Sequence, residues 1–241
     1  MKLPLLLIIA LSSAAPVMAQ ETVAVDLGLG ASYKPAYPGS DEYDTSPWFI
    51  LRNLTIGGEG DNDKPGLSIK PNVDSIGKRE EDMDNNLLGL NEIDRAYELG
   101  IKATYRIGAA SAYATVRKGF GGHNGIAGEF GARYRFEPTD RLILWAGLEA
   151  GYGDDNFNQT YFGISSAEAA RTNYTAYTLD GGINTASAIL EARYRIAANT
   201  AVLGEVKYSR VVGDAADSPI VMDESQPSIR LGIVHRLKFG F

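Results

Sequence analysis

The chain has 241 residues, a formal net charge of −7 and no basic surplus, which excludes a nucleic-acid binder that works by neutralising phosphates. It has no cysteine, so whatever stabilises it does so without disulfides. With two histidines, His123 and His235, imidazole chemistry has few places to sit.

Met1 to Ala19 pairs an early charge, Lys2, with an apolar run from Leu3 to Leu11 and small residues before Val17-Met18-Ala19. This is the layout of a secretory signal cleaved after Ala19. The apolar run is too short for a membrane-spanning helix, which needs roughly 20 residues. Two segments are therefore expected, a signal peptide over 1–19 and an outer-membrane β-barrel domain over 20–241.

Thr22 to Tyr33 sets Val23, Val25, Leu27, Leu29, Ala31 and Tyr33 against Asp26, Gly28, Gly30 and Ser32, a strand with one apolar face. Strands near Ser46 to Ile56 and Gly66 to Ile76 follow with less regular patterning, because Trp48 to Leu51 is a continuous apolar run and Pro71 removes a ladder donor. The alternation sharpens at Tyr97 to Arg106 and returns at Ser111 to Lys118, Ile126 to Phe136, Leu142 to Tyr152, Asn184 to Arg195, Ala201 to Arg210 and Ser228 to Phe241. Ser111 to Lys118 is the weakest of these later strands, since Tyr113 shares a parity with Arg117. The last strand places Leu231, Ile233, Leu237, Phe239 and Phe241 on one face and Arg230, Arg236 and Lys238 on the other. A terminal aromatic in this pattern resembles the carboxy-terminal assembly signal of outer-membrane barrels.

The fold expected is all-β: a closed antiparallel transmembrane barrel of about ten strands, with twelve as the alternative. Connection lengths assign the sides, since such barrels have short periplasmic turns and long outer loops. Ile107 to Ala110, Glu137 to Arg141 and Ile196 to Thr200 are short. Lys34 to Thr45, Gly77 to Ala96, Gly153 to Ile183 and Val211 to Pro227 are long, while Gly57 to Pro65 is long for a turn and Gly119 to Gly125 short for a loop. Acidic residues such as Glu80, Glu81, Asp82 and Asp84 gather in the outer loops and read as a solvated surface. Ser165-Ser166-Ala167-Glu168 matches a capping box and predicts one short helix.

No catalytic, cofactor-binding or metal-binding residue is expected. His123, in Gly121-Gly122-His123-Asn124-Gly125, reads as a polar loop residue, and His235 falls on the lipid-facing parity, near an interface or at a slip of register. No G-x-S-x-G nucleophile motif is present, and neither histidine has a partner visible in the sequence. The inward parity gathers Glu98, Lys102, Arg106, Arg117, Glu129, Arg133, Glu149, Glu191, Arg193, Glu205, Lys207 and Arg230. Mixed charges in a barrel of this width, well short of the 16 or so strands of open porins, predict a salt-bridged interior rather than a diffusion channel.

Several stretches resemble the MipA/OmpV family of outer-membrane proteins: Pro38-Gly39-Ser40-Asp41, Leu88-Gly89-Leu90, Ala96-Tyr97-Glu98-Leu99-Gly100, Gly119 to Gly125, Asp154-Asp155, Thr160 to Ala170 and Gly213 to Val221. The resemblance implies an outer-membrane barrel surrounded by lipid and lipopolysaccharide, without catalytic residues. It further implies a scaffold joining a lytic transglycosylase to a penicillin-binding protein, the alternative being a small porin-like channel or a surface adhesin or antigen.

Overall fold

The computed structural model describes residues 22–56 and 65–240. The signal segment and most of the connection Gly57 to Pro65 lie outside these. Ten antiparallel strands form one curled sheet: β1 (Thr22–Pro35), β2 (Tyr43–Ile56), β3 (Gly66–Ile76), β4 (Ala96–Ile107), β5 (Ala110–Gly121), β6 (Ile126–Thr139), β7 (Leu142–Gly153), β8 (Gly182–Ala197), β9 (Thr200–Val211) and β10 (Ser225–Gly240). All ten expected strands are present, and the described residues hold ten rather than twelve. They run a few residues longer than the alternation alone marks, 11 to 16 residues each. All but β3 exceed the roughly 9–11 needed to cross a bilayer, so most of the wall extends beyond the hydrocarbon.

The order in the sheet is β2-β1-β10-β9-β8-β7-β6-β5-β4-β3. The first and last strands pair, as expected, from Thr22 opposite Gly240 to Tyr33 opposite Ile229. The two margins of the sheet are β2 and β3, and among the described residues no ladder joins them. Each margin carries a proline in mid-strand, Pro47 and Pro71. Proline has no N–H to donate, so it belongs on an edge. This accounts for the irregular patterning of these two strands.

Register fixes which residues face outward. Tyr105, Ala112, Ala132, Leu148, Ala188 and Tyr208 lie on one row across β4 to β9 and share one face. On that face Phe49 is 78% exposed, Leu148 69% and Leu231 61%, while on the opposite face Asp26 is 0% and Glu98 3% exposed. Charges inside and apolar side chains outside invert the rule for water-soluble domains and fit a wall surrounded by lipid. A shallow apolar groove of about 730 Å³ lies on this outer wall between Tyr105, Tyr134 and Leu148, paved by alanines. It holds no chemistry.

Two-residue turns at 108–109, 140–141 and 198–199 lie at one end, together with Thr22 at the start of β1 and Gly240 at the end of β10. Gly108 takes a φ of +57° there, which a side chain would disfavour. At this end His235 pairs with Thr200, the first residue of β9, and its Nδ1 lies 2.9 Å from the Thr200 hydroxyl. The register does not slip. The histidine faces outward on the lipid side of the wall, its ring nitrogen held by the first residue of β9.

Candidate functional site

The interior begins as a lattice of ion pairs. Opposite residues on neighbouring strands face the same way, so inward positions of five strands bring Arg52, Glu191, Arg133, Glu205 and Arg230 within reach of one another. Arg52 meets Glu191 at 2.5 Å and Glu205 at 4.0 Å, Arg133 meets Glu191 at 3.7 Å, and Arg230 meets Glu205 at 3.5 Å. Lys207 meets Glu149 at 2.7 Å, and the Tyr113 hydroxyl donates to the same carboxylate. The sequence anomaly at Tyr113 is thereby resolved, since it faces the lumen with Arg117. Arg52, Asp26, Arg236 and Asp74 join the lattice although the sequence pattern did not place them there. Asp26 accepts from Arg193 at 2.8 Å and from the Asn53 amide at 2.9 Å, with Arg236 at 3.8 Å, while Asp74 lies 3.8 Å from Arg117. Asp26 sits among glycines on its face of β1, where no inward charge pattern marks it.

Beside this lattice lies a small apolar floor. Ile50, Ala201, Leu203 and Val234 are buried together inside the sheet. Gly28 permits this, because a Cβ there would stand 2.7 Å from the Val234 side chain and 2.3 Å from the Ile233 carbonyl.

Towards the end with long connections the lattice becomes drier. Arg117 Nε donates to Glu98 at 2.6 Å and its Nη1 to Glu129 at 2.7 Å, with the Arg117 and Glu98 side chains 7% and 1% exposed. His123 is buried here rather than a solvated loop residue. Its Nε2 meets Glu98 at 3.0 Å, while the Gly125 N–H donates to Nδ1 at 3.2 Å, so Nε2 carries the proton given to Glu98. The ring packs edge-on to Phe157 at 5.0 Å and Tyr161 at 5.6 Å. A Cβ on Gly119 would lie 2.1 Å from it, which gives the glycine-rich stretch its packing reason. A histidine beside a carboxylate resembles half of a hydrolase triad, but both ring nitrogens are engaged and neither faces a nucleophile.

Above this point the long connections fold into a cap. Asp154 caps α1 (Asp155–Phe162) by accepting from the Phe157 N–H, and the helix buries Asn158, Tyr161 and Phe162 at helical spacing. This helix was not foreseen, because eight residues rich in Asn, Gln and Thr carry a weak signal. The expected capping box is present in α2 (Ser166–Ala169), where Ser165 and Glu168 cap each other reciprocally. Two apolar clusters hold the cap: Ile93, Tyr161, Phe162, Leu179, Val211 and Ala215 in one, and Tyr37, Leu87, Leu90, Ile164 and Ile220 in the other. Polar ties join the same segments, including Tyr37 OH to the Ile220 carbonyl at 3.3 Å and Arg79 Nη1 to the Tyr161 carbonyl at 3.2 Å. Burial raises the Tyr37 and Tyr161 hydroxyls well above the ordinary tyrosine range.

Glu168 ties α2 to the segment before β4 by accepting from the Asn91 N–H at 2.8 Å. Burial alone would raise its pKa, but hydrogen bonds from the Ser165 hydroxyl and from the Asn91 and Ser165 N–H groups bring it below the ordinary value. A depressed carboxylate stabilises the fold above its unfolded pKa of about 4.3 and loses that contribution as pH falls through the lower folded value. Amide-exchange protection at Asn91 is thus expected to hold from neutral pH down to about pH 4 and to collapse below it. Collapse between pH 5 and 7 would contradict the assignment.

The metal-ligating side chains of the described residues form no group of three. A lipid-facing wall, a charge-paired interior and a folded cap define a transmembrane β-barrel of the outer membrane. The chain belongs to the family described as MltA-interacting protein MipA, whose profile matches residues 27–237. The MltA-interacting protein of Escherichia coli is 28% identical over 115 residues, covering 47% of this chain and 45% of that protein. Escherichia coli YiaT, described as an outer membrane protein, is 30% identical over 99 residues, covering 41% and 39%. These matches span less than half the length of the curated relatives. Among solved structures, an outer membrane channel from Pseudomonas putida is similar over 93% of this chain and 97% of its own, at 15% identity and a TM-score of 0.46. Vibrio cholerae OmpT is similar over 93% and 100%, at 10% and 0.37.

Proposed function

We propose that this protein is a non-catalytic scaffold of the outer membrane, holding a murein-hydrolysing lytic transglycosylase and a murein-synthesising penicillin-binding protein near each other. The observation that carries this reading is the interior: its charges pair with one another and a folded cap stands over the outer end. A continuous ion path and a reactive pocket are both disfavoured by such an arrangement. The periplasmic rim then remains as a surface for protein contact, and a relative bears the name MltA-interacting protein. The connection from Gly57 to Pro65, acidic through Glu59, Asp61 and Asp63, is the proposed contact, although residues 57–64 lie outside the described structure. Export by a signal peptide over Met1 to Ala19, cleaved after Ala19, belongs to the same proposal.

Cross-linking in intact cells from residues placed in 57–64, followed by identification of the captured proteins, tests it. Recovery of a lytic transglycosylase or a penicillin-binding protein is expected, and it should fall when Glu59, Asp61 and Asp63 are neutralised together. Steady single-channel conductance by the purified barrel with no such partner would favour the small pore and remove the scaffold.

A further inference from the structure

His123 stands where the barrel wall meets its cap, with its side chain 0% exposed. Gly119 of β5 lies close against the ring, Phe157 and Tyr161 of α1 cover it edge-on, and Glu98 of β4 accepts from Nε2. The other nitrogen, Nδ1, accepts from the Gly125 N–H at 3.2 Å. Gly125 is itself the contact between this turn and the cap, since a Cβ there would stand 2.6 Å from the Phe157 nitrogen in the first turn of α1. Its carbonyl accepts from the Gly119 N–H at 2.9 Å, and the neighbouring Asn124 N–H donates to Asn156 of α1 at 3.0 Å. One imidazole nitrogen thus holds the turn on which the helix is seated.

Nδ1 can do this only while it carries no proton. A proton there would set N–H against N–H, and Gly119, Phe157 and Tyr161 hold the ring against turning towards another acceptor. Glu98 attracts a charged ring, but its second oxygen is taken at 2.6 Å by Arg117 of β5, whose charge opposes that attraction. Glu129 of β6 and Asp74 of β3 face the same guanidinium rather than the imidazole. On the cap side Tyr161 presents a neutral hydroxyl, and Arg79, which donates to the Tyr161 carbonyl, brings a second cation. Asp154 and Asp155 are engaged by the Phe157 and Gly181 N–H groups. A histidine buried neutral has to charge when its surroundings open in acid, so low pH favours the open arrangement. Imidazoles ordinarily take up a proton near about pH 6.5, which sets closure above that range and release below it. We propose that His123 is a proton-operated latch: unprotonated Nδ1 holds the Gly125 turn against α1, and protonation parts the turn from the helix, exposing the Glu98–Arg117 pair to water at the outer mouth of the barrel.

Hydrogen exchange of the full-length refolded barrel in nonionic micelles, corrected for the intrinsic pH dependence of amide exchange, reads the latch at Gly125 and over Asp155–Phe162. Protection there is expected to fall about tenfold or more between about pH 7.5 and 5, because a site closed only around the neutral ring loses about tenfold per pH unit below the imidazole range. Asn91, tied to Glu168, should keep its protection over the same interval, which separates release of the latch from unfolding of the cap. His123→Asn keeps an acceptor near the place of Nδ1 but cannot charge, so its response should shrink to about twofold or less. Glu98→Gln keeps an acceptor for Nε2 and should retain the response, displaced to lower pH by loss of the attracting charge. Nitrogen shifts of labelled histidine in a His235→Gln background read the intact latch directly: the Nε2–H tautomer at neutral pH, converting to imidazolium over the range in which protection falls. Constant protection in the wild-type protein, an Nδ1–H tautomer at neutral pH, or an undiminished response in folded His123→Asn would each overturn the latch. So would disappearance of the response in Glu98→Gln, which would make the carboxylate the titrating group.

Discussion

Deleting Phe239 to Phe241 is expected to abolish the folded, heat-modifiable form of the protein rather than to weaken any activity. In the sheet, Phe239 and Gly240 stand opposite Val23 and Thr22, so the deletion strips partners from the start of β1 as well as shortening β10. Each backbone group orphaned in hydrocarbon costs several kcal/mol. Two lost rungs therefore weigh as much as a typical folding free energy of about 5–15 kcal/mol. Replacing Phe241 by Asp should act in the same direction because it puts a charge into the apolar alternation of Leu237 and Phe239, and Phe239→Leu should be tolerated because it keeps an apolar outward residue. Gel mobility of boiled and unboiled samples from outer-membrane fractions reads all three. Normal folded protein from the truncation would show that the β1–β10 pairing does not govern assembly.

That junction was legible in the sequence because a barrel in lipid writes its register twice, as outward apolar residues and as inward charges. Leu231, Ile233 and Phe239 against Arg230 and Arg236 leave one solution for β10, and a one-residue slip would put both arginines in lipid. The same logic placed Glu98, Arg117, Glu191 and Glu205 on one wall before any pairing was known. It could not say which acid meets which base, since Arg193 and Asp26 are 167 residues apart. Asp26 itself was hidden on a face of glycines, although an aspartate inside an apolar strand is a signal in its own right. The cap was least legible. Its clusters join Tyr37 to Ile220 and Ile93 to Tyr161, contacts made by irregular segments with no periodicity to mark an inner face. His123 belongs to that zone, and its burial follows from Gly119 and α1 rather than from its own glycine-rich neighbourhood. Pro71 was legible as a defect in a ladder; that it lies on a margin of the described sheet needed the strand order.

Arg117→Ala is expected to be the most destabilising single substitution among the interior charges. The guanidinium serves Glu98, Glu129 and Asp74 together, and Glu98 is also the acceptor for His123. Removing it leaves the Glu98 carboxylate, 1% exposed, with the neutral imidazole as its remaining partner. Breaking a buried pair from one side costs about 3–5 kcal/mol, because the surviving charge stays desolvated. Glu98→Gln should cost less, since Arg117 retains Glu129 and the amide oxygen still accepts from His123. Arg117→Lys should fall between them, keeping the charge but losing the fork that spans two carboxylates. By contrast Lys78 and Glu80 form an exposed pair screened by solvent, and Glu80→Gln should shift stability far less than Arg117→Ala. Urea unfolding of the refolded barrel, followed by gel mobility and tryptophan fluorescence, ranks the four variants. The double variant Arg117→Ala with Glu98→Ala should recover part of the loss, because it removes the stranded charge as well as its partner. If Arg117→Ala proved no worse than Glu80→Gln, the interior would have to be wet enough to screen its charges, and the reading of a dry, charge-paired lumen would fail with it.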